Sequence, residues 1–284
     1  MGAIVAATVS ERARWHSRRE TDGTSPVTQS TATNASPPAS TARSIERSLE
    51  ILAVLRESRV PLRLSEIARA TGNHLATTQR IVNVLIRFGY VAQEGSGYSM
   101  GITSLTNAYT FLLSNSLIQI AHPIAQELAA TTGFAASLAV RVELKQILLL
   151  WVDGATPLRY RLPVGEPLPL HLGGARILAA TLDPEDLQRL LGELGEIRLA
   201  TGELVTHEQF IDSLRVIREQ GHVYGHSQRY PGAASASVPV FNRDRQVIAS
   251  LQLSGFADEM DEAKMEWCID ELKRASSSLE QRLP

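Results

Sequence analysis

Thr77, Gln79, Arg80 and Asn83 lie close together in the segment from His74 to Phe88, where Ile81, Val82 and Leu85 form a helical apolar stripe. The four polar side chains therefore fall on the open face of one helix. Their types suit a particular chemistry. A guanidinium pairs bidentately with the major-groove edge of guanine, and a carboxamide pairs the same way with adenine. Leu75, near the start of the segment beside His74, offers apolar contact to a thymine methyl. The bland alternative is a solvated helix face or a protein-binding module, with Arg80 as a surface ion-pair partner and Thr77 supporting the first turn.

A second constellation lies far downstream. Gly173-Gly174-Ala175 stands at the head of a helical stretch, 174–180. Backbone N–H groups at a helix start attract carboxylates, and glycine lets a ligand approach the main chain. Ser235, Gln252 and Ser254 interrupt otherwise apolar late strands. They suit either a polar pocket or a water-facing strand edge. Enzyme signatures are weak. Neither standard glycine-rich phosphate loop occurs, nor an HExxH pair. Gly232-Ala233-Ala234-Ser235-Ala236 lacks the glycine that follows the serine of a nucleophile elbow. His222 and His226 are four apart on a strand and turn, where that spacing does not align two rings toward Cys268 for a metal. His171, close to Pro169, reads as a structural hydrogen-bonder. No catalytic residue, metal ligand or cofactor is assigned.

The elements that must position these groups follow from patterning. Ile45, Leu49, Leu52 and Leu55 repeat at helical spacing behind Ser44 as cap, and Pro61 ends that helix. Ser65–Ala70 forms a short second helix stopped by Thr71-Gly72, and Asn73 caps the third. After Gly89, strands at 90–93 and 98–100 flank a Gly95-Ser96-Gly97 turn. Helix, helix, glycine turn, helix and hairpin is the plan of a winged helix-turn-helix, whose second motif helix enters a major groove. Residues 102–130 read as helical with a break at Pro123. Strands follow at 135–142, 146–152, 158–161, 222–224, 234–240 and 247–253, with helices at 184–191, 207–220 and 260–283.

Several words in this chain resemble IclR-type transcriptional regulators. They are Ile45-Glu46-Arg47-Ser48-Leu49-Glu50-Ile51-Leu52, Leu64-Ser65-Glu66-Ile67-Ala68, Thr77 with Arg80, Gly89-Tyr90-Val91, and Tyr98-Ser99-Met100-Gly101. Val164-Gly165, Leu168-Pro169-Leu170-His171, Gly221, Gly232 and Val238-Pro239-Val240 continue the match to about residue 282. Asn73 departs from a usual apolar residue, His74 from proline and Ala76 from a small hydroxyl residue, and the loop after His171 is one residue short.

The resemblance implies an α+β chain: a disordered tail at 1–43, a winged helix-turn-helix at 44–101, a linker helix at 102–120 and a GAF-like effector-binding domain at 121–284. It implies double-stranded DNA as partner, read by His74, Leu75, Thr77, Gln79, Arg80 and Asn83, with backbone contacts from Arg43, Arg47 and Ser96. It also implies a small organic-acid effector at Gly173, Gly174, Ala175, Ser235, Gln252 and Ser254. Ser235 stands where many members carry Cys, and Gly225 where many carry Asp. The linker helix would pair with its copy in a homodimer or dimer of dimers.

Composition narrows the alternatives. The net charge is −2, yet residues 44–101 hold seven basic and five acidic side chains, and residues 1–43 hold five and three. Residues 102–284 therefore carry −6, and this asymmetry puts nucleic-acid contact at the front. Aromatics at 5% disfavour a base-stacking platform. The longest apolar run, Ile147–Val152, is far below a membrane span, and Ile4–Val9 is too short for a secretory signal. The single cysteine, Cys268, excludes an internal disulfide. A cytoplasmic setting is expected. A metabolite binder with a protein-interaction module, or a hydrolase using Ser235, is the competing reading.

Overall fold

The computed structural model describes residues 39–156, 158 and 160–284, with side chains from Ala42 onward. The arginines expected to touch phosphates at 12, 14, 18 and 19 lie outside the described residues. Two compact units divide at Ser114/Asn115, six residues ahead of the boundary expected at 120/121.

The first unit is built from α1 (Ala39–Glu57), β1 (Leu62–Arg63), α2 (Leu64–Thr71), α3 (Leu75–Arg87), β2 (Val91–Glu94), β3 (Gly97–Met100) and α4 (Thr103–Ser114). Ile51, Leu55, Ile67, Ile81, Val82, Leu85, Val91 and Tyr98 form its core. The helix-turn-helix bend comes from Gly72, whose left-handed φ of +65° closes α2. Gly72 N–H donates to Arg69 O, and Asn73 N–H donates to Ala68 O, the paired bonds of a Schellman ending. Asn73 therefore completes the end of α2, and His74, not Asn73, is the N-cap of α3. In the wing, Gly95 takes φ +59° between Glu94 and Gly97, which pair directly. A two-residue loop with glycine first holds the strands at their natural twist.

Expectations for α1 are corrected, and one strand was not foreseen. α1 starts at Ala39, so residues 39–43 are helical rather than tail, and Ser44 lies inside the helix. Ile45 and Leu49 are exposed, because α1 packs through Ile51 and Leu55. The short strand β1, paired to β3 at Leu62↔Tyr98, is too brief to leave a period in the sequence.

The second unit starts with α5 (Ser116–Thr132). The helix break falls at Asn115, whose side chain accepts from Ile118 N–H at 3.1 Å, and not at Pro123. Buried Leu117, Ile118, Ala121, Ile124, Ala125 and Leu128 form a continuous stripe through the proline, and this packing keeps α5 whole.

An antiparallel sheet follows, made of β4 (Ala135–Val142), β5 (Lys145–Val152), β6 (Pro167–Pro169), β9 (Val223–His226), β10 (Ala233–Phe241) and β11 (Val247–Phe256). Its order is β6-β5-β4-β11-β10-β9. α5 and the C-terminal α9 (Glu262–Arg282) pack on each other and against this sheet. A 3-10 turn at Gly173–Ala175 runs into the short α6 (Arg176–Ala179), and both pack on β10. Then come α7 (Pro184–Leu194), a small ribbon of β7 (Ile197–Arg198) and β8 (Leu204–Val205), and α8 (His207–Gln220). The strand expected at 158–161 is absent among the described residues. Tyr160 instead donates to Gly255 O at 3.2 Å and stacks on Tyr230.

Candidate functional site

Each unit presents one candidate site. On α3, Thr78, Ile81, Val82 and Leu85 face the core. That phase turns Arg80 and Asn83 to the surface, with Gln79 half-buried beside them. Gln79, Arg80 and Asn83 line a shallow concavity together with Ala76, Val84 and Arg87. Gln79 Nε2 donates to Asn83 Oδ1 at 2.9 Å, one helical turn away. This bond aligns two amides that can each turn to a partner. No acidic side chain lines the concavity, so the guanidiniums of Arg80 and Arg87 leave it cationic. Arg87, which also lies 5.3 Å from the Phe88 ring, was missed by pattern reading because it falls in the last turn of the helix.

The remaining residues of this set are more scattered. Leu75 is 53% exposed at the helix start. His74 is exposed but caps nothing with its side chain, so the first-turn N–H groups of α3 receive no side-chain acceptor there. Thr77 is half-buried rather than fully outward. Arg47 is half-buried on α1, Arg43 is exposed there, and Ser96 is exposed at the wing tip.

In the second unit, Ser235 pairs with Ser254 and Ser237 with Gln252 across β10 and β11. Directly opposed residues share a face, so these polar groups look the same way. They look toward the 3-10 turn. Gly173, Gly174, Ala175, Ser235, Gln252 and Ser254 all line one cavity of about 30 Å³. That space holds roughly two water molecules. Gln252 and Ser254 are buried, and Gln252 Nε2 donates to Ser254 Oγ at 3.0 Å. The expectation of a free helix start is corrected in part: Gly173 N–H already donates to Gln228 Oε1 at 3.0 Å. The helix opened there is also brief, a single 3-10 turn leading into four α-helical residues.

Besides Gln228, the polar lining residues Gln146, Tyr160, Arg229 and Tyr230 escaped the sequence reading. Their only sequence signal was Gln146 at the head of an apolar strand. Arg229 Nη2 donates to Pro169 O and Leu172 O at 3.1 and 3.3 Å. Burial lowers the pKa of its guanidinium, while neighbouring Tyr230 opposes the shift. Tyr160 and Tyr230 stack with ring centroids 4.7 Å apart, and burial first, then Tyr230, pushes the Tyr160 hydroxyl up to about 12. His171 drops to about 4, chiefly through burial, then through Arg229 and Lys145. Positive charge on Arg229 is thus disfavoured by burial at this cavity.

His222 and His226 do not converge on Ser235 or Cys268. His226 pairs with Ala234, so it lies on the sheet face opposite Ser235, and its Nε2 meets Met260 O at 2.9 Å. His222 Nδ1 lies 3.0 Å from Gln220 O, and Cys268 is buried with its thiol raised to about 11 by burial. Among the described residues no three His, Cys, Asp or Glu side chains gather as a metal site, and no helix is long and apolar enough to cross a membrane.

Comparison with known proteins gives these two sites a common context. Residues 44–95 match the IclR helix-turn-helix domain, and residues 109–281 match the bacterial transcriptional regulator IclR C-terminal domain. The HTH-type transcriptional regulator KipR of Bacillus subtilis is 24% identical over 224 residues, covering 78% of this chain and 90% of that one. The transcriptional repressor IclR of Escherichia coli is 26% identical over 218 residues, covering 75% and 80%. An IclR homolog from Microbacterium hydrocarbonoxydans, solved in complex with 4-hydroxybenzoate, shares the fold with a TM-score of 0.67 at 20% identity, covering 84% and 98%. With a DNA-binding domain matched at the front and an effector-binding domain matched over more than half of its length, the chain belongs to the IclR family of bacterial transcriptional regulators.

Proposed function

We propose that α3 reads operator bases through Thr77, Gln79, Arg80 and Asn83, with His74 and Leu75 at its leading end. Arg43, Arg47 and Ser96 hold the phosphate backbone on either side. Base contacts specify and phosphate contacts position. The observation that carries this reading is the exposed, acid-free concavity formed by Gln79, Arg80, Asn83 and Arg87.

A small organic acid binds in the cavity between the Gly173–Ala175 turn and the Ser235, Gln252 and Ser254 face. A relative solved in complex with 4-hydroxybenzoate supports an acid as effector. An effector shifts DNA affinity only by preferring one arrangement of the molecule over another.

The working form is a homodimer or dimer of dimers. α4 buries none of its side chains, and Leu105, Tyr109, Phe111 and Leu113 all stand exposed on it. So much apolar surface on one helix is an association surface. Two copies of α3 then meet successive major grooves about 34 Å apart, on a pseudo-palindromic operator.

Fluorescence anisotropy with the gene's own upstream duplex tests this reading. Salt-sensitive, sequence-selective binding that shifts when a small organic acid is added is the expected result. Equal binding to any duplex, unaffected by every acid, overturns it.

A further inference from the structure

Two lining residues of the second-unit cavity each lack a partner, and they lack opposite things. Arg229 is a half-buried cation whose hydrogen bonds, among the described residues, go to the carbonyls of Pro169 and Leu172. Among the described residues no carboxylate pairs with it. Gln146, on β5, is 1% exposed, and its Oε1 has no hydrogen-bond partner. A buried acceptor cut off from water and without a donor is unfavourable, and such groups are rare in folded chains. One side of the cavity therefore asks for an anion and another for a hydrogen-bond donor. The stacked rings of Tyr160 and Tyr230 line the same cavity. A plain carboxylate answers Arg229 and leaves Gln146 Oε1 unmet. A neutral alcohol does the reverse.

Taking this cavity as the effector site proposed above, we infer that its effector is a short hydroxy-carboxylate, with its carboxylate on Arg229 and its hydroxyl donating to Gln146 Oε1. The carboxylate replaces a missing counter-ion, and the hydroxyl replaces a missing donor. Recognition of a hydroxyl by a site built for it discriminates strongly against analogues that lack it, because the protein group is otherwise left unpaired.

Isothermal titration of the full chain with lactate, propionate and methoxyacetate tests the inference. The three acids are similar in size, and only lactate carries a hydroxyl that can donate. Lactate is expected to bind at least ~10-fold more tightly than the other two. Gln146→Leu, or Gln146→Met if the first variant does not melt cooperatively, is expected to bring lactate to within about threefold of propionate, with propionate little changed. Arg229→Gln is expected to weaken all three acids. Equal affinities in the unaltered chain, or a lactate preference that survives both Gln146 variants, overturns the inference while leaving an acid-binding pocket in place. Binding of benzoate and 4-hydroxybenzoate with no binding of the three-carbon acids overturns it in the same way. If none of the five acids binds, the effector-site reading itself falls, and this inference falls with it.

Discussion

Gly174 and the Gln252 side chain occupy adjoining space so tightly that a Cβ at 174 would overlap Gln252 Oε1 and come within 3.1 Å of Ser237 Cβ. Gly174 has no left-handed φ to explain its glycine. Close approach between the turn and the sheet explains it instead. Gly174→Val should force Gln252 away from Ser254 and fill the cavity, at a cost of ~1–3 kcal/mol in stability. Operator binding should persist while the response to organic acids is lost, measured by anisotropy with and without acid.

Arg80 and Arg47 should fail in different ways. Arg80→Ala should cost ~1–3 kcal/mol on the preferred operator and relax selectivity at one base position. Arg47→Ala should weaken binding to all duplexes alike and reduce the salt slope by about 1. Salt titrations on matched and mutated operators separate the two. An Arg80 variant that loses affinity equally on every duplex would move this residue to the phosphate-contacting set.

Asn73 holds a position that usually carries an apolar contact in this kind of helix ending. Its Nδ2 is buried and has no hydrogen-bond partner. Asn73→Leu removes an unsatisfied donor and should raise stability by ~1 kcal/mol. Urea denaturation reports the gain as a higher midpoint at unchanged slope.

The imidazole of His171 is held neutral down to about pH 4, whereas the unfolded chain protonates it near the ordinary 6.5. The unfolded state thus binds more protons in this window, so stability should fall as pH drops from about 6.5 toward 4. Above 6.5 both states are neutral and the group contributes no pH dependence. His171→Gln should remove this part of the slope. Urea midpoints of both proteins at pH 7 and pH 4.5 check it, since other acid effects are common to the two.

Exposed Leu105 and Tyr109 on α4 set the last prediction. Replacing both with Glu should dissociate the oligomer, seen as a lower sedimentation coefficient. Affinity for a two-half-site operator should drop with it, and binding to a single half-site should not.

Local chemistry made much of this protein legible before any coordinates. α8 runs over His207–Gln220 as its pattern indicates, because Thr206 and Gln209 close a reciprocal cap at its start and Gly221 turns left-handed at its end. The phase of α3 and the glycine-first wing turn are likewise encoded within a few neighbouring residues. These features depend on side chains three or four positions apart, so the sequence alone determines them. The placement of the helix break at Asn115 was less accessible. A proline usually outweighs an asparagine as a stop signal, and only the buried stripe of α5 reverses that order.

The chemistry of the proposed effector cavity was decided by tertiary structure. Gln146, Tyr160, Arg229 and Ser254 come from separate stretches of chain and meet because β11 inserts between β4 and β10. Nothing in the periodicity of any one stretch records that neighbour. The sequence supplied a glycine pair and a few strand serines, while folding brought a half-buried cation and an unpartnered carboxamide oxygen to the same cavity. Sheet order is a long-range property, set by which faces bury together, and it alone gives the pocket its chemical character.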